Sequence, residues 1–341
     1  HGDAPKSDCS MLTSPTFDAT TVGTSVEEAV AWLKAGETVA LPTETVYGLA
    51  GNALDVKAVS SIFETKNRPS FDPLILHVAS LEQVSPFVSE FPEKLKRLAE
   101  AFWPGPLTVL LPRNASVPDL VTSGLDRVAV RVPNHPLTLA LLAQLDFPLA
   151  APSANPFGYI SPTQAGHVDA QLGTQIPYIL DGGACAVGLE STIVGMEGEQ
   201  VVIYRLGGLD LSKVEAIVGP VTVQAHSTSN PSAPGQLASH YAPRKPFILG
   251  DLQELVPQLI QQGKEVGVLS FSNHFPAVTA DRQVVLSATQ DLQEAAQRLF
   301  MGMRLLDESA ATVILAEFVP EIGLGRAIND RLKRAAAQPI H

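Results

Sequence analysis

Apolar runs of strand length alternate with capped, amphipathic helical segments along nearly the whole chain, and this alternation confines it to the α/β class. The pattern begins at Ser25-Val26-Glu27-Glu28, a capping box opening a helix that Gly36 ends. The spacing predicts strands at 38–41, 74–78, 107–111, 128–132, 148–151, 178–180, 191–195 and 201–206. Helices are expected at 55–65, 92–102, 136–144, 163–172 and 212–218. The texture then changes. Residues 226–246 (HSTSNPSAPGQLASHYAPRKP) carry no apolar period and read as a linker, although His240, Tyr241 and Arg244 are more chemistry than a tether needs. Beyond it, strands at 247–249, 266–271, 284–286 and 312–316 and helices at 252–262, 291–307 and 325–336 form a small Rossmann-like unit. The expected organisation is a polar leader at 1–15 (with Met11 a candidate start), a large α/β domain at 16–209, a linker at 210–245 and a second domain at 246–341.

Bulk properties exclude several classes. A composition that is 45% hydrophobic supports real cores rather than disorder. No apolar run reaches bilayer length, and no signal-peptide pattern is present. The net charge of -12 opposes generic nucleic-acid binding, where phosphate contacts dominate affinity, so any anion must be held by a local cluster. Two cysteines, Cys9 and Cys185, cannot build a disulfide framework or a thiolate zinc centre within one chain, and they fit a reducing cytoplasm. No Walker-type phosphate loop exists, since Gly263-Lys264-Glu265 lacks the hydroxyl. Gly323-Leu324-Gly325 lacks the third glycine of a dinucleotide fingerprint and reads as a helix-entry turn. H-E-x-x-H, C-x-x-C and G-x-S-x-G are all missing. Many of the 27 prolines sit at strand ends, where rigid loops shape a site.

Four constellations carry chemistry. Leu41-Pro42-Thr43-Glu44-Thr45-Val46-Tyr47-Gly48-Leu49 runs from a strand into a hydroxyl-rich turn, after which a capped helix is expected. Lys66-Asn67-Arg68-Pro69 ends that helix with two cations. They are either a solvated helix terminus or fixed charge for a triphosphate. Ala151-Pro152-Ser153-Ala154-Asn155-Pro156 is either an Asx-type turn or a donor-rich wall; Ser161-Pro162-Thr163 beyond it reads as a helix cap. Asp181-Gly182-Gly183-Ala184-Cys185 leads through Gly188 to Ser191-Thr192, where glycines allow close backbone approach. Cys185 has no neighbouring cation and reads as a bystander thiol. Arg131 and Arg205 lie in apolar strands, which is costly unless each meets an anion of the protein or of a ligand. His77 faces the same choice between core and ligand.

In this order these segments, with Pro73-Leu74-Ile75-x-His77, Phe102-Trp103-Pro104-Gly105-Pro106-Leu107-Thr108, Val130-Arg131-Val132-Pro133, Gly188-x-Glu190-Ser191-Thr192-Ile193 and Arg205-x-Gly207, resemble the threonylcarbamoyl-AMP synthase family and its YrdC-like catalytic domain. Ala233-Pro234-Gly235-Gln236-x-x-x-His240-Tyr241-Ala242-Pro243 resembles the linker of the two-domain members. The resemblance implies a twisted mixed-sheet domain with a concave site, followed by the small Rossmann-like domain. It implies synthesis of threonylcarbamoyl-adenylate and pyrophosphate from L-threonine, bicarbonate and ATP, with Mg²⁺ accompanying ATP. It also implies a cytoplasmic enzyme that feeds a separate tRNA threonylcarbamoyl transferase complex, with at most weak tRNA contact of its own.

By the same resemblance, Thr45, His77, Arg131, Ala151 and Ser191 hold threonine, with Arg131 taking its carboxylate as a fork. Lys66, Arg68, Ser153, Asn155, Ser161 and Arg205 hold the nucleotide, with a backbone contribution at Val128. Lys66, Arg68, Ser153 and Asn155 are the expected catalytic group. Tyr241 is expected to close the pocket as a lid. Asp72 stands on the nucleotide side where many relatives carry Asn, and a carboxylate there would repel a triphosphate unless bridged or turned away. The competing reading is a non-catalytic RNA-binding module, which the acidic balance opposes. Hydrogenase-maturation proteins share a related domain but need cysteine zinc motifs that two cysteines cannot supply.

Overall fold

The computed structural model describes residues 17, 19–225, 232–237 and 240–337. The leader at 1–15 and the linker positions 226–231, 238 and 239 therefore lie outside the described residues. In the first domain β1 (Thr21–Gly23), α1 (Val26–Lys34), β2 (Val39–Leu41), β3 (Gly48–Asn52) and α2 (Val56–Lys66) come first. They are followed by β4 (Ile75–His77), α3 (Glu93–Phe102), β5 (Leu107–Pro112), α4 (Asp119–Thr122), β6 (Arg127–Arg131) and α5 (Pro136–Ala143). The domain ends with β7 (Leu149–Ala150), α6 (Ala165–Leu172), β8 (Tyr178–Leu180), β9 (Thr192–Glu197), β10 (Gln200–Arg205), α7 (Leu211–Val218) and β11 (Thr222–Val223).

Helix starts follow local chemistry. The Ser25 hydroxyl accepts from the Glu28 amide at 3.1 Å, and the Asp55 carboxylate accepts from the Lys57 amide at 3.0 Å, each satisfying an orphan donor of the first turn. The eleven strands form one sheet in the order β1-β8-β2-β3-β7-β4-β6-β5-β9-β10-β11. It is mixed: β4 and β6 are parallel, whereas β7 runs antiparallel to β4 and β5 antiparallel to β6. Helices cover both faces. Val39 and Leu41 pack with α1 and α5, while Ala40 and Leu49 pack with α2, α3 and α6, as the period of two along a strand requires.

The structure departs from the expected string at Gly48–Asn52, which forms β3, antiparallel to β2, rather than a turn leading straight to a helix. Two glycines weaken its strand signal, but tertiary packing overrides propensity. A Cβ at Gly51 would stand 3.3 Å from the Ile62 Cδ1 beneath it. The expected linker also starts too early. Residues 211–218 are helix α7, held to α3 by the Arg97 guanidinium donating to the Ile217 carbonyl at 2.7 Å, and β11 pairs with β10. By packing, both belong to the large sheet.

The second domain contains β12 (Phe247–Leu249), α8 (Leu252–Gln261), β13 (Val266–Ser270), β14 (Gln283–Val285), α9 (Leu292–Glu308), β15 (Val313–Ala316) and α10 (Gly325–Ala336). Its sheet is fully parallel in the order β12-β15-β13-β14. The domains share one apolar cluster, in which Val46, Ile160 and Leu189 of the first pack with Leu299 and Phe300 of the second. Gly188, at φ +83°, allows this approach, because a Cβ there would lie 2.6 Å from the Gln297 Cα.

Candidate active site

Ile75 and His77 lie two apart on β4 and so present one face of the sheet. His77 stands directly opposite Arg131 on parallel β6. Around this floor lies a concave cleft. The turn at 43–48, Arg68, the segment 151–153, Glu190, Ser191 and Arg205 line it, and Pro234, Gly235, His240 and Tyr241 of the linker line it as well.

One group of side chains centres on Arg131. Its Nε donates to the Gly105 carbonyl at 3.2 Å, its Nη1 to the Thr45 hydroxyl at 2.9 Å and its Nη2 to Glu44. Among the described residues three of the five guanidinium N–H donors are thus engaged, which leaves two for a ligand. Glu44 also accepts from the Asn134 amide at 2.9 Å. The Thr43 hydroxyl lies 2.9 Å from that of Thr45 and accepts from the amides of Thr45 and Val46, which fixes the turn. Burial, reinforced by Arg131, holds His77 down to about 3, so its imidazole is neutral. Its Nδ1 lies 3.0 Å from the Ile75 carbonyl. The Nδ1–H tautomer would donate there and leave Nε2 as an acceptor.

A second group centres on Arg205, whose aim follows a register irregularity between Ile203 and Arg205. Its Nε donates to the Ser191 carbonyl at 2.9 Å and its Nη2 to the Ser191 hydroxyl at 3.0 Å. The Ser191 hydroxyl in turn lies 2.6 Å from that of Thr108. Arg68 donates to the carbonyls of Asp72 and Pro73 and pairs with the Asp72 carboxylate at 3.2 Å. Burial raises the Asp72 carboxyl, and the Arg68 guanidinium opposes that rise.

Thr45, Arg68, His77, Arg131, Ala151, Ser153, Ser191, Arg205 and Tyr241 all line this one cleft. Five other expected residues do not. Lys66 is buried at the end of α2, where its ammonium donates to the carbonyls of Ser153 and Asn155 at 2.6 and 2.5 Å. Burial lowers its pKa well below the ordinary lysine value. Its position corrects the expectation of a free cation in the loop: Lys66 shapes the wall. Asn155 points back into its own loop, donating to the carbonyls of Pro156 and Tyr159. The Ser161 hydroxyl donates to Glu190 at 2.5 Å. Asp72 is turned onto Arg68. Val128 sits within β6 opposite Leu111, in the main core.

Sequence reasoning assigned no role to Thr43, Glu44, Glu190, Gly235 or His240. All five lie inside quoted motifs, so the signal was present. Burial, followed by Arg334, pushes His240 well below the usual histidine value. Cys185 is buried, and burial followed by Glu44 pushes its thiol up to about 12, as an unreactive bystander requires. Among the described residues no group of three or more His, Cys, Asp or Glu is placed to hold a metal. Glu190 in the cleft and Glu44 behind Arg131 each face a guanidinium, so neither offers a free hard-cation ligand. No described helix is long and apolar enough to cross a membrane.

Residues 31–207 match the Sua5/YciO/YrdC family model described as "Telomere recombination", and residues 209–337 match "Threonylcarbamoyl-AMP synthase, C-terminal domain". The threonylcarbamoyl-AMP synthase of Pyrococcus abyssi is 41% identical over 325 residues, covering 92% of this chain and 94% of the relative. The chain belongs to the threonylcarbamoyl-AMP synthase family. The Bacillus subtilis synthase is 39% identical over 330 residues, covering 94% of this chain and 95% of its own. Among solved structures, P. abyssi Sua5 complexed with L-threonine superimposes with a TM-score of 0.88 at 39% identity, covering 93% of this chain and 98% of that one. Membership in this synthase family does not favour the RNA-module reading.

Proposed function

We propose that this chain joins L-threonine, bicarbonate and ATP into threonylcarbamoyl-AMP with release of pyrophosphate. One observation carries the reading: two buried arginine-centred groups, Thr45–Arg131 beside His77 and Ser191–Arg205 beside Arg68 and Tyr241, line one cleft. The first suits the amino acid, with the two free donors of Arg131 toward its carboxylate. The second suits the nucleotide.

The chemistry explains the enclosure. The threonine nitrogen adds to the carbon of carbon dioxide derived from bicarbonate and loses a proton, giving a carbamate that bulk water would destroy. A carbamate oxygen then attacks the α-phosphorus. A new P–O bond forms, the bond to the β-phosphate oxygen breaks, and pyrophosphate leaves with that electron pair. Charge builds on phosphate oxygens, and the cations of a low-dielectric cleft stabilise it without reorganising. No enzyme nucleophile is needed. Mg²⁺ enters with the triphosphate as part of the substrate. Tyr241, on the linker wall, serves as the lid over the nucleotide. The product then supplies a separate tRNA threonylcarbamoyl transferase complex in the cytoplasm.

The deciding experiment is product mass and pyrophosphate release from the threonine, bicarbonate and ATP mixture. Release that requires both L-threonine and bicarbonate, with the mixed anhydride in the mass spectrum, supports the proposal. Release indifferent to either component overturns it.

A further inference from the structure

Helix α10 buries a charged face that an outer helix of a Rossmann-like domain normally gives to water. Ile328, Leu332 and Ala335 pack on its own domain, yet Arg331 and Arg334 are also buried, at 0% and 2% exposure. Three residues apart, the two arginines share one side of the helix. Arg331 Nε donates to Glu190 of the first domain at 3.0 Å, and its Nη1 donates to Asp330 at 2.6 Å. Its guanidinium carbon lies 4.7 Å from the centre of the Tyr241 ring, and that of Arg334 lies 4.8 Å from the same ring. Arg334 also donates to the carbonyls of Gly235 and Leu237. Glu190, Gly235 and Tyr241 all line the cleft, and the second carboxylate oxygen of Glu190 holds Ser161.

We infer that Arg331 is a positioning residue of the catalytic cleft, through which the second domain sets the Glu190 carboxylate and the Tyr241 ring on the nucleotide side. The inference rests on the function proposed above and adds a task for the C-terminal domain. Burying a guanidinium is costly, and an ion pair with Glu190 and Asp330 does not by itself make that burial favourable for stability. Among the described residues, two buried polar atoms here, Arg331 Nη2 and Tyr241 Oη, also lack a hydrogen-bond partner. Orphans of this kind persist where a site uses the arrangement. Arg334 supports the same contact from the next turn, and Phe300 stacks beneath the ring at 5.7 Å.

The test uses the full-length chain and the variants Arg331→Met, Arg331→Lys and Tyr241→Leu, with far-UV dichroism and a thermal melt as folding controls. Threonine affinity is measured calorimetrically without nucleotide, and the ATP KM by pyrophosphate release. Arg331→Met is expected to raise the ATP KM ten-fold or more and leave threonine affinity within two-fold. Arg331→Lys keeps a cation but loses the planar stack, and should fall between Arg331→Met and the wild type. In the Tyr241→Leu background, Arg331→Met should add clearly less than its single effect. An ATP KM within two-fold of wild type in folded Arg331→Met overturns the inference, as does an equal loss of threonine and ATP binding, which marks a merely structural role. Should Arg331→Met fail to fold, an unchanged ATP KM in Arg331→Lys overturns it instead. Wild-type release that ignores threonine defeats the functional reading, whereas normal wild-type activity with unmoved variants defeats only this inference.

Discussion

His77 and Arg131 stand opposite each other across the parallel β4–β6 ladder, a neutral ring beside a buried cation. Burial first, and the Arg131 charge second, hold the ring down to about 3. An unfolded histidine titrates near 6.5. The folded state therefore binds this proton less well than the unfolded state, and the stability tied to His77 is present above about pH 6.5 and is lost progressively as pH falls toward 3.

The His77 ring should accordingly show no titration between pH 5 and 8 by NMR. Arg131→Gln removes the second cause and should move its pKa upward. A His77 resonance titrating near 6.5 in the wild type would contradict the buried, neutral assignment. His77→Gln should also flatten the acid side of the stability profile, measured by denaturant melts between pH 4 and 7.

Arg68 and Lys66 should separate by phenotype. Arg68 lines the cleft, so Arg68→Ala should lower kcat/KM for ATP by about 10², the scale of losing one preorganised charged donor. Lys66 instead satisfies two loop carbonyls. Lys66→Met leaves both without that donor and should cost roughly 1–3 kcal/mol of stability per unsatisfied group, with activity falling because the 153–155 wall loosens. Urea denaturation and steady-state kinetics on the two variants read the contrast. Arg68 also satisfies two carbonyls and the buried Asp72 carboxylate, so both variants lose stability and the contrast is kinetic: a kcat/KM for ATP that falls no further in Arg68→Ala than in Lys66→Met would remove it.

Gly235 tolerates no side chain. Its φ is +72°, and a Cβ would lie 2.9 Å from Arg205 Cδ and 3.0 Å from both Arg205 Nη1 and Tyr241 Oη. Gly235→Ala therefore strains the backbone by about 1–2 kcal/mol and pushes the lid off the nucleotide-side arginine. A higher ATP KM with little change in threonine affinity is the expected split. A variant with wild-type kinetics would show that these three groups need not stay in contact.

Periodicity made most strands and helices legible, because their apolar faces repeat at 2.0 or 3.6 residues. It failed at β3, where Gly48 and Gly51 are tolerated for close packing rather than for strand propensity. It also blurred the domain edge at α7, whose partner α3 lies far back in the chain, and at the two-residue β11, too short to show a period. The site was legible where motif residues sit at strand ends, as His77, Arg131 and Ser191 do, or in the hydroxyl-rich turn that holds Thr45. It was not legible for direction: Lys66, Asn155 and Ser161 occupy motif positions yet hold the wall, because sequence names a donor without saying which acceptor it meets. Arg331 was invisible for the same reason. It reads as one charge on a solvated helix, and its partner Glu190 lies 141 positions away.

That long-range pairing makes the two domains one folding unit. Val46, Ile160 and Leu189 share an apolar cluster with Leu299 and Phe300. Arg304 of α9 donates to the Ile160 carbonyl at 2.6 Å, and Tyr159 donates to Asp307 at 2.5 Å. Separating the domains would expose these side chains and leave the Glu190–Arg331 pair broken in a partly solvated seam, which is costlier than an ordinary interdomain contact. Scanning calorimetry should therefore give one transition, with calorimetric and van't Hoff enthalpies agreeing, and Arg304→Met should lower the single midpoint. Two resolved transitions, with only the earlier one moved by Arg304→Met, would mean that the domains unfold independently.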